Sequence, residues 1–194
     1  GASQAGRQYQ KWQKIGFALP ITITISSATL MTPAYGKQLV QILSQANGQV
    51  SVEITEVALV GDIQITRQII EKLQAIGAKV YIDDFGTGYS ALSYLHQFPV
   101  DCIKIDRSFV VAQQDPKGAQ VLTGMLRFCE ALNLGVVVEG VETAEQLAFL
   151  HSGRGHAGAE LIIQGWYFSK ALPGEAVQGF VRERADRASD EAGA

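Results

Sequence analysis

Two adjacent acids, Asp83 and Asp84, directly follow the apolar segment 80–82. Carboxylates at the end of a buried strand are costly to desolvate, so a metal, another cation or a proton has to compensate them. We interpret the pair as metal ligands. Gly86 and Gly88 tolerate positive φ, which permits a sharp turn just past the acids. The alternative is a tight strand-to-helix turn whose acids are solvated.

Further polar residues stand at the ends of the other predicted strands. In chain order, the strand-end residues are Thr24, Glu53, Asp83 with Asp84, Lys104 with Asp106, Glu139 with Glu142, and Gln164. The carboxyl ends of parallel strands lie at one edge of a sheet. We therefore expect Glu53, Asp83 and Asp84 to converge within a few ångströms. Lys104 and Glu139 are flanked by β-branched residues, so a buried charge at either position needs a partner.

Six strands are predicted from short β-branched runs, of which the strict alternation over 21–25 is the clearest. The predicted strands cover residues 21–25, 50–55, 79–83, 101–105, 135–139 and 160–165. The predicted helices cover residues 4–19, 33–46, 65–76, 90–97, 115–132 and 143–151, with a last one beginning near 173. From Arg182 onward the polar, alanine-rich sequence is expected to fray.

Helix caps support several of these boundaries. Ser90 is expected to cap the helix over 90–97, and Asp115-Pro116 combines a capping acid with a proline at the first helical position. Thr143 and Gln146 have capping-box spacing. Regular strand–helix alternation predicts a parallel α/β sheet, either an open doubly wound sheet or a barrel. Polar residues at almost every strand end favour the barrel.

The composition favours a small ligand. The chain has 194 residues, of which 47% are hydrophobic, and this fits one domain with a sizeable core. Its net charge is −3 and no basic run precedes the C-terminal tail, which argues against binding of bulk nucleic acid or of a membrane surface. Cys102 and Cys129 fall in a predicted strand and helix, which indicates a cytoplasmic setting.

Five motifs together resemble the EAL-type cyclic di-GMP phosphodiesterase domain of bacterial signalling proteins. In order, they are Glu53-Ile54-Thr55-Glu56, Asp83-Asp84-Phe85-Gly86-Thr87-Gly88-Tyr89-Ser90, Lys104-Ile105-Asp106-Arg107-Ser108-Phe109, Glu139-Gly140-Val141-Glu142-Thr143 and Gln164-Gly165. The resemblance covers about residues 8–180. It implies a variant TIM (β/α)₈ barrel, with about six strand–helix units in this chain, that binds one cyclic dinucleotide across its C-terminal mouth.

The resemblance also implies a metal site. Glu53 and Asp83 are similar to ligands of Mg²⁺ or Mn²⁺, and Asp84 is similar to a ligand of a second such ion. A metal pair can lower the pKa of the attacking water and neutralise charge on the leaving oxygen of a phosphodiester.

Five further residues match positions with implied roles. Lys104 resembles the lysine that touches the hydrolytic water or phosphate, and Glu139 resembles the carboxylate that assists water activation. Glu142 and Gln164 resemble additional catalytic and substrate contacts, and Glu56 resembles the anchor of the 83–90 loop. Asp106, Glu56 and Glu142 could instead form structural ion pairs or caps.

Three features depart from the family's pattern. Thr24, which we assign to substrate binding, stands where the family usually has an asparagine ligand. The only Glu-Ala-Leu tripeptide in the chain, residues 130–132, ends the predicted helix over 115–132, whereas the strand that carries the family's name-giving motif should precede residue 1. Residues 152–158 are longer and richer in glycine than the family's turn, which indicates a flexible loop.

These features leave two functions open. The first is a metal-dependent phosphodiesterase that hydrolyses cyclic di-GMP to linear pGpG, with impaired activity in this chain. The second is a catalytically inactive cyclic di-GMP receptor or protein-interaction module. Six of eight strands would leave exposed sheet edges, so we expect a homo-oligomer or association with the missing N-terminal portion.

The expected domain organisation has three parts. Residues 1–7 are assigned to an expression remnant or linker, since the chain begins with Gly1-Ala2-Ser3 and lacks an initiator methionine. Residues 8–181 form the partial EAL domain, and 182–194 form a polar tail. A sensor or GGDEF-type domain is expected upstream. The domain is expected in the cytoplasm, alone or as the cytoplasmic part of a larger membrane-associated signalling protein.

Overall fold

Six parallel strands form one sheet in the computed structural model of the protein, which describes residues 2–17, 19–26, 30, 32–44, 50–59, 62–88, 95–152 and 160–192. The strands are Ile21–Ile25 (β1), Val50–Thr55 (β2), Val80–Phe85 (β3), Cys102–Ile105 (β4), Gly135–Val138 (β5) and Leu161–Ile163 (β6). Each strand begins and ends within two residues of its predicted limits, because the β-branched side chains of these runs are buried in the sheet.

The strands lie side by side in chain order, β1-β2-β3-β4-β5-β6, and every neighbouring pair is parallel. A doubly wound sheet reverses its strand order at a switch point, whereas a barrel adds each strand on the same side. The order therefore confirms the variant (β/α)₈ class with six strand–helix units. Within the described part of the chain, β1 and β6 are each paired along one edge only.

Eight helices connect or flank these strands in the described residues. They are Ala2–Lys14 (α1), Pro33–Leu43 (α2), Glu56–Leu59 (α3), Ile63–Ala75 (α4), Arg107–Ala112 (α5), Pro116–Ala131 (α6), Ala144–Ser152 (α7) and Gly174–Ala192 (α8). Asp115 caps α6 as its sequence predicts, since its carboxylate accepts hydrogen bonds from the N–H groups of Lys117 and Gly118.

The structure differs from the sequence-based expectations at several helices. The short helices α3 and α5 were not predicted. Helix α8 runs through Ala192 and so includes residues after Arg182, where the sequence is expected to fray. Helix α1 begins at Ala2, inside the segment assigned to a remnant or linker. Ser152 is the last residue of α7, and the rest of the loop expected over 152–158 lies outside the described residues. The cap at Ser90 and residues 91–94 of the helix expected over 90–97 also lie outside them.

The two faces of the sheet have different chemistry. Aliphatic side chains on one face, such as Val52, Ile82 and Ile103, are fully buried against the helices. Burying one such side chain contributes about 1.5–3 kcal/mol. The alternate residues form the barrel interior, where Tyr81, Cys102 and Val137 make a separate buried cluster. The site residues continue this interior row toward the carboxyl ends of the strands.

Both cysteines are free thiols in the core. Burial raises the pKa of Cys102 and of Cys129 to about 12, so both stay protonated at neutral pH. Among the helices that the structure describes, none is both long enough and apolar enough to cross a membrane.

Candidate metal centre and active site

The ammonium group of Lys104 lies at the centre of a carboxylate cluster. Its Nζ is 2.9 Å from Glu53 Oε1, 2.7 Å from Asp83 Oδ1 and 2.8 Å from Glu139 Oε1. These residues come from β2, β3, β4 and the end of β5, so four neighbouring strands contribute. The Lys104 side chain is only 7% exposed. Three carboxylates thus surround one ammonium, which leaves an excess of negative charge at the mouth.

The acids keep Lys104 charged despite its burial. Burial by itself would lower the pKa of Lys104, but hydrogen bonds to Asp83, Glu139 and Glu53 outweigh that effect, and the pKa is raised. Lys104 is therefore a permanent positive charge at neutral pH. This satisfies the requirement that a charge in a buried strand has partners.

A β-bulge aims Asp84 at the same site. Ile82 pairs with Ile103 and Phe85 pairs with Ile105, so β3 has one residue more than β4 between these pairs. Asp84 adopts a φ of 54°, a left-handed conformation that aspartate tolerates better than most residues. Bulges of this kind redirect side chains beside active sites. The bulge places Asp84 next to Asp83 instead of on the opposite face of the strand.

Asp83, Asp84 and Glu139 can together hold a cation. Each offers a carboxylate oxygen, and the three oxygens lie within 4.8 Å of one another. Desolvation, followed by the negative charges of Asp83 and Asp106, raises the pKa of Asp84, although its side chain is exposed. A divalent ion would relieve that repulsion. An oxygen-only donor set with excess negative charge fits Mg²⁺ or Mn²⁺.

Glu53 lies in the Lys104 cluster but not in this trio. Its Oε1 accepts from Lys104, and its Oε2 accepts a 2.8 Å hydrogen bond from the Thr24 hydroxyl. Thr24 is exposed at the end of β1. Glu139, for which the family resemblance implies a role in water activation, is the third member of the trio. Sequence reasoning missed Glu139 as a member of the candidate metal-binding trio, because the motifs do not specify the distances between strand ends.

Glu56 holds the loop that follows the acids. Its Oε2 accepts hydrogen bonds from the backbone N–H groups of Gly86, at 3.0 Å, and Gly88, at 3.4 Å. Gly86 has a φ of 90°, as its sequence position predicts. Gly88 has no positive φ; its importance is proximity, because a Cβ there would lie 3.4 Å from Glu56 Cδ. The remaining loop residues, 89 and 90, lie outside the described residues.

Glu142, Gln164 and Asp106 do not belong to the Lys104 cluster. The side chains of Glu142 and Gln164 are exposed, and neither is hydrogen-bonded to the Lys104 cluster among the described residues. Asp106 caps α5 by accepting from the N–H of Ser108, and the hydrogen bond with the Ser108 side chain is the main reason that its pKa is lowered. Sequence reasoning treated Gln146 only as a helix cap, yet its side chain also accepts a hydrogen bond from the backbone N–H of Glu142.

Comparison with known proteins identifies the family. The sequence pattern of the EAL domain matches residues 2–171. The cyclic di-GMP phosphodiesterase PdeR of Escherichia coli (strain K12) is 34% identical over 186 residues, which cover 94% of this chain and 27% of PdeR. The chain belongs to the EAL domain family, which confirms the resemblance found in its motifs.

Solved structures agree with this assignment. The EAL domain of Mycobacterium smegmatis DcpA is 33% identical, with a TM-score of 0.80 over 93% of this chain and 81% of that chain. The PaMucR phosphodiesterase in its c-di-GMP complex is 30% identical, with a TM-score of 0.79 over 91% of this chain and 71% of that chain. The chain spans little more than a quarter of the length of PdeR, 27%.

Proposed function

We propose that this domain binds cyclic di-GMP at the carboxyl ends of its strands and opens one phosphodiester bond to give linear pGpG. The observation that carries the proposal is the acidic trio of Asp83, Asp84 and Glu139 beside the buried ammonium of Lys104. Membership of the EAL family and the similarity to a named cyclic di-GMP phosphodiesterase support it.

The carboxylates Glu53, Asp83 and Asp84 would hold one or two Mg²⁺ or Mn²⁺ ions, and Glu139 would complete the set. When bound, such an ion lowers the pKa of a coordinated water and neutralises charge on the leaving oxygen. The excess of negative charge around Lys104 is the electrostatic reason for a divalent ion at this position.

The side chains supply the remaining chemistry. Lys104 holds three carboxylates in fixed orientations, and its positive charge reduces their repulsion of a phosphate group. Glu139 accepts a proton from the attacking water. The exposed Glu142 and Gln164 are available to the ligand at the mouth. Glu56 fixes the loop that continues from the metal-binding acids.

Activity in this chain is proposed to be impaired. Thr24 supplies a neutral hydroxyl where the family usually has an asparagine oxygen, and that hydroxyl donates to Glu53. The only Glu-Ala-Leu tripeptide of the chain, residues 130–132, lies at the C-terminal end of α6 and not at the end of a strand, so it supplies no ligand at the mouth. Losing even an indirect partner of a metal ligand typically lowers affinity or activity about 10–100-fold, so we expect a deficit of at least that size.

A second candidate function is a receptor or interaction module that binds cyclic di-GMP without hydrolysis. The observation that favours it is the complete pairing of Lys104, whose ammonium contacts Glu53, Asp83 and Glu139 directly. Such a cluster can keep the shape of the pocket without a metal, so ligand binding can outlast catalysis.

Chromatography of reaction products tests the proposal. The chain and a version extended upstream are incubated with cyclic di-GMP and Mn²⁺, and calorimetry measures binding. Conversion to pGpG by either protein, abolished by Asp83→Asn, supports the phosphodiesterase. Binding without conversion favours the receptor, and the absence of both contradicts the two proposals. Rapid conversion by the short chain would refute the proposed impairment.

The proposed assembly follows from the edges of the sheet. Strands β1 and β6 are each paired on one side in the described part of the chain, and an open edge invites further pairing. We propose that a second copy, or an N-terminal portion of a longer protein with an upstream sensor or GGDEF-type domain, covers them in the cytoplasm. A monodisperse monomer in light scattering, with no added polypeptide, would contradict this.

A further inference from the structure

Gln146 is a buried polar residue in the first turn of α7. Gln146 is only 8% exposed. Its side-chain Oε1 accepts hydrogen bonds from two successive backbone N–H groups. The donors are Glu142, at 2.7 Å, and Thr143, at 3.1 Å. In return, the backbone N–H of Gln146 donates to the Thr143 hydroxyl at 3.3 Å.

Helix capping explains only part of this arrangement. In a capping box, the third helical residue accepts from the N–H of the capping residue, here Thr143, and the capping hydroxyl accepts in return. The bond to Glu142 lies one residue further back and is the shorter of the two. A cap does not require it. Its effect is to fix the peptide from which the Glu142 side chain projects.

The rest of this segment is fixed from other sides. The N–H of Glu139 donates to the carbonyl of Ile105 on β4, at 3.0 Å. Val141 is fully buried, and its N–H and carbonyl bond to Gln164 and Tyr167 beyond β6. Glu142 is the first residue past these anchors, and its side chain is exposed. Gln146 is therefore the last support between the Lys104 cluster and Glu142.

We propose that Gln146 is a positioning residue that holds Glu142 in register with Glu139 at the mouth of the barrel. The inference rests on the proposed function, since it assigns Gln146 a part in binding and turnover of the same cyclic dinucleotide. Gln146 touches neither ligand nor metal in this scheme. It acts through the backbone of Glu142, whose side chain is exposed.

Two substitutions separate positioning from simple stability. Gln146→Leu keeps the size of the side chain and removes the acceptor, whereas Gln146→Glu keeps an oxygen that can accept from both N–H groups. Asp115→Ala is the matched control, because Asp115 also accepts from two successive N–H groups, those of Lys117 and Gly118, at the start of α6. Asp115 lies outside the site.

The readouts are turnover of cyclic di-GMP with Mn²⁺ in the most active form of the protein, and hydrogen exchange of single backbone amides. For Gln146→Leu we expect kcat to fall about 10-fold, with KM little changed. This is the lower end of the range for residues that support an active site indirectly, through another residue. Exchange at Glu142 and Thr143 accelerates, and Gln146→Glu restores both properties. Asp115→Ala accelerates exchange only at Lys117 and Gly118 and leaves kcat unchanged.

The possible outcomes distinguish failure of the positioning role of Gln146 from failure of the proposed phosphodiesterase function. Equal losses of kcat in Gln146→Leu and Asp115→Ala, or no rescue by Gln146→Glu, would overturn the positioning role while leaving the phosphodiesterase intact. If the unsubstituted protein neither binds nor converts cyclic di-GMP, the proposed function fails. Exchange at Glu142 then still decides the structural part, since unaltered exchange in Gln146→Leu would refute the hold on that peptide.

Discussion

The central and edge strands of the sheet both end in polar residues, but in the described residues only the central strands contribute charged side chains to the ion-paired cluster around Lys104. Lys104 and its three acids have side chains no more than 20% exposed. Thr24 on β1 and Gln164 after β6 are exposed. A central strand has a neighbour on each side, so its end residues lose more water, and a charge there must be paired.

The central and edge residues therefore have different roles at the mouth of the barrel. Lys104 and its three acids are held in place by their own ion pairs, so the protein itself fixes their geometry. The exposed edge residues are free to exchange water for a ligand and contribute little to the stability of the fold. Substitutions at the centre should therefore change folding and binding together, whereas those at the edges should change binding alone.

The largest effect is expected for Lys104→Met. Removing the ammonium leaves Glu53, Asp83 and Glu139 as a buried group of like charges, and losing one partner of a buried ion pair typically costs about 3–5 kcal/mol. Urea unfolding measures the loss, and Mn²⁺ should recover part of it by replacing the missing positive charge.

Gln164→Ala is the edge counterpart of that experiment. An exposed substitution of this kind usually changes the free energy of unfolding by less than about 0.5 kcal/mol. Equal effects of the two substitutions would erase the contrast between centre and edge. A failure of Mn²⁺ to stabilise the Lys104→Met protein would argue against a cation site among the acids.

The next largest effect is expected at Glu56, which is 3% exposed. Glu56→Ala removes the acceptor for the N–H groups of Gly86 and Gly88, and a hydrogen bond to a charged group contributes about 1.5–3 kcal/mol. Glu56→Gln keeps an acceptor and should retain part of the stability. Amide exchange at Gly86 and Gly88 reports the loop directly; unchanged exchange in Glu56→Ala would show that Glu56 does not anchor it.

Thr24 tests the edge with a smaller expected change. Thr24→Val removes the exposed hydrogen bond to Glu53, which is worth about 1 kcal/mol or less. Thr24→Asn introduces the residue usual in the family and should raise the affinity for Mn²⁺ about 10-fold, if the amide oxygen becomes a ligand. Calorimetric titration with Mn²⁺ measures this. An Asn variant with the affinity of the unsubstituted protein would remove Thr24 from the explanation of impaired activity.

The sequence predicts the strands well because each one buries a β-branched face. It predicts the helices less completely. Helix α3 has only four residues and begins directly after the last residue of β2, so it is too short to show a helical pattern of its own. Helix α5 does have a cap, Asp106, but that residue lies inside a motif read for its chemistry.

The candidate site divides in the same way. Alternation and strand order are enough to place Glu53, Asp83, Lys104 and Glu139 at one mouth. Which acids pair with Lys104 depends on distances across three strand pairs, and local sequence does not specify these. The bulge at Asp84 is also hidden, because it arises from the register of β3 against β4. The additional bond of Gln146 is similar, since its spacing signals only a cap.

The smallest effect is expected at an ion pair beside the edge strand β6. Lys79 Nζ lies 3.4 Å from Glu160 Oε2, and both side chains are more than half exposed. The charge of Glu160 is the main reason that the pKa of Lys79 is raised above 10.5, so the pair's contribution is complete below that pH and is lost as the pH rises through the raised value. Lys79→Met should destabilise the protein by less than about 1 kcal/mol at neutral pH and low salt. Urea unfolding in 1 M NaCl, where the screening length is about 3 Å, should reduce even that difference. A large cost that persists in high salt would mean that the edge, like the centre, depends on a desolvated lysine.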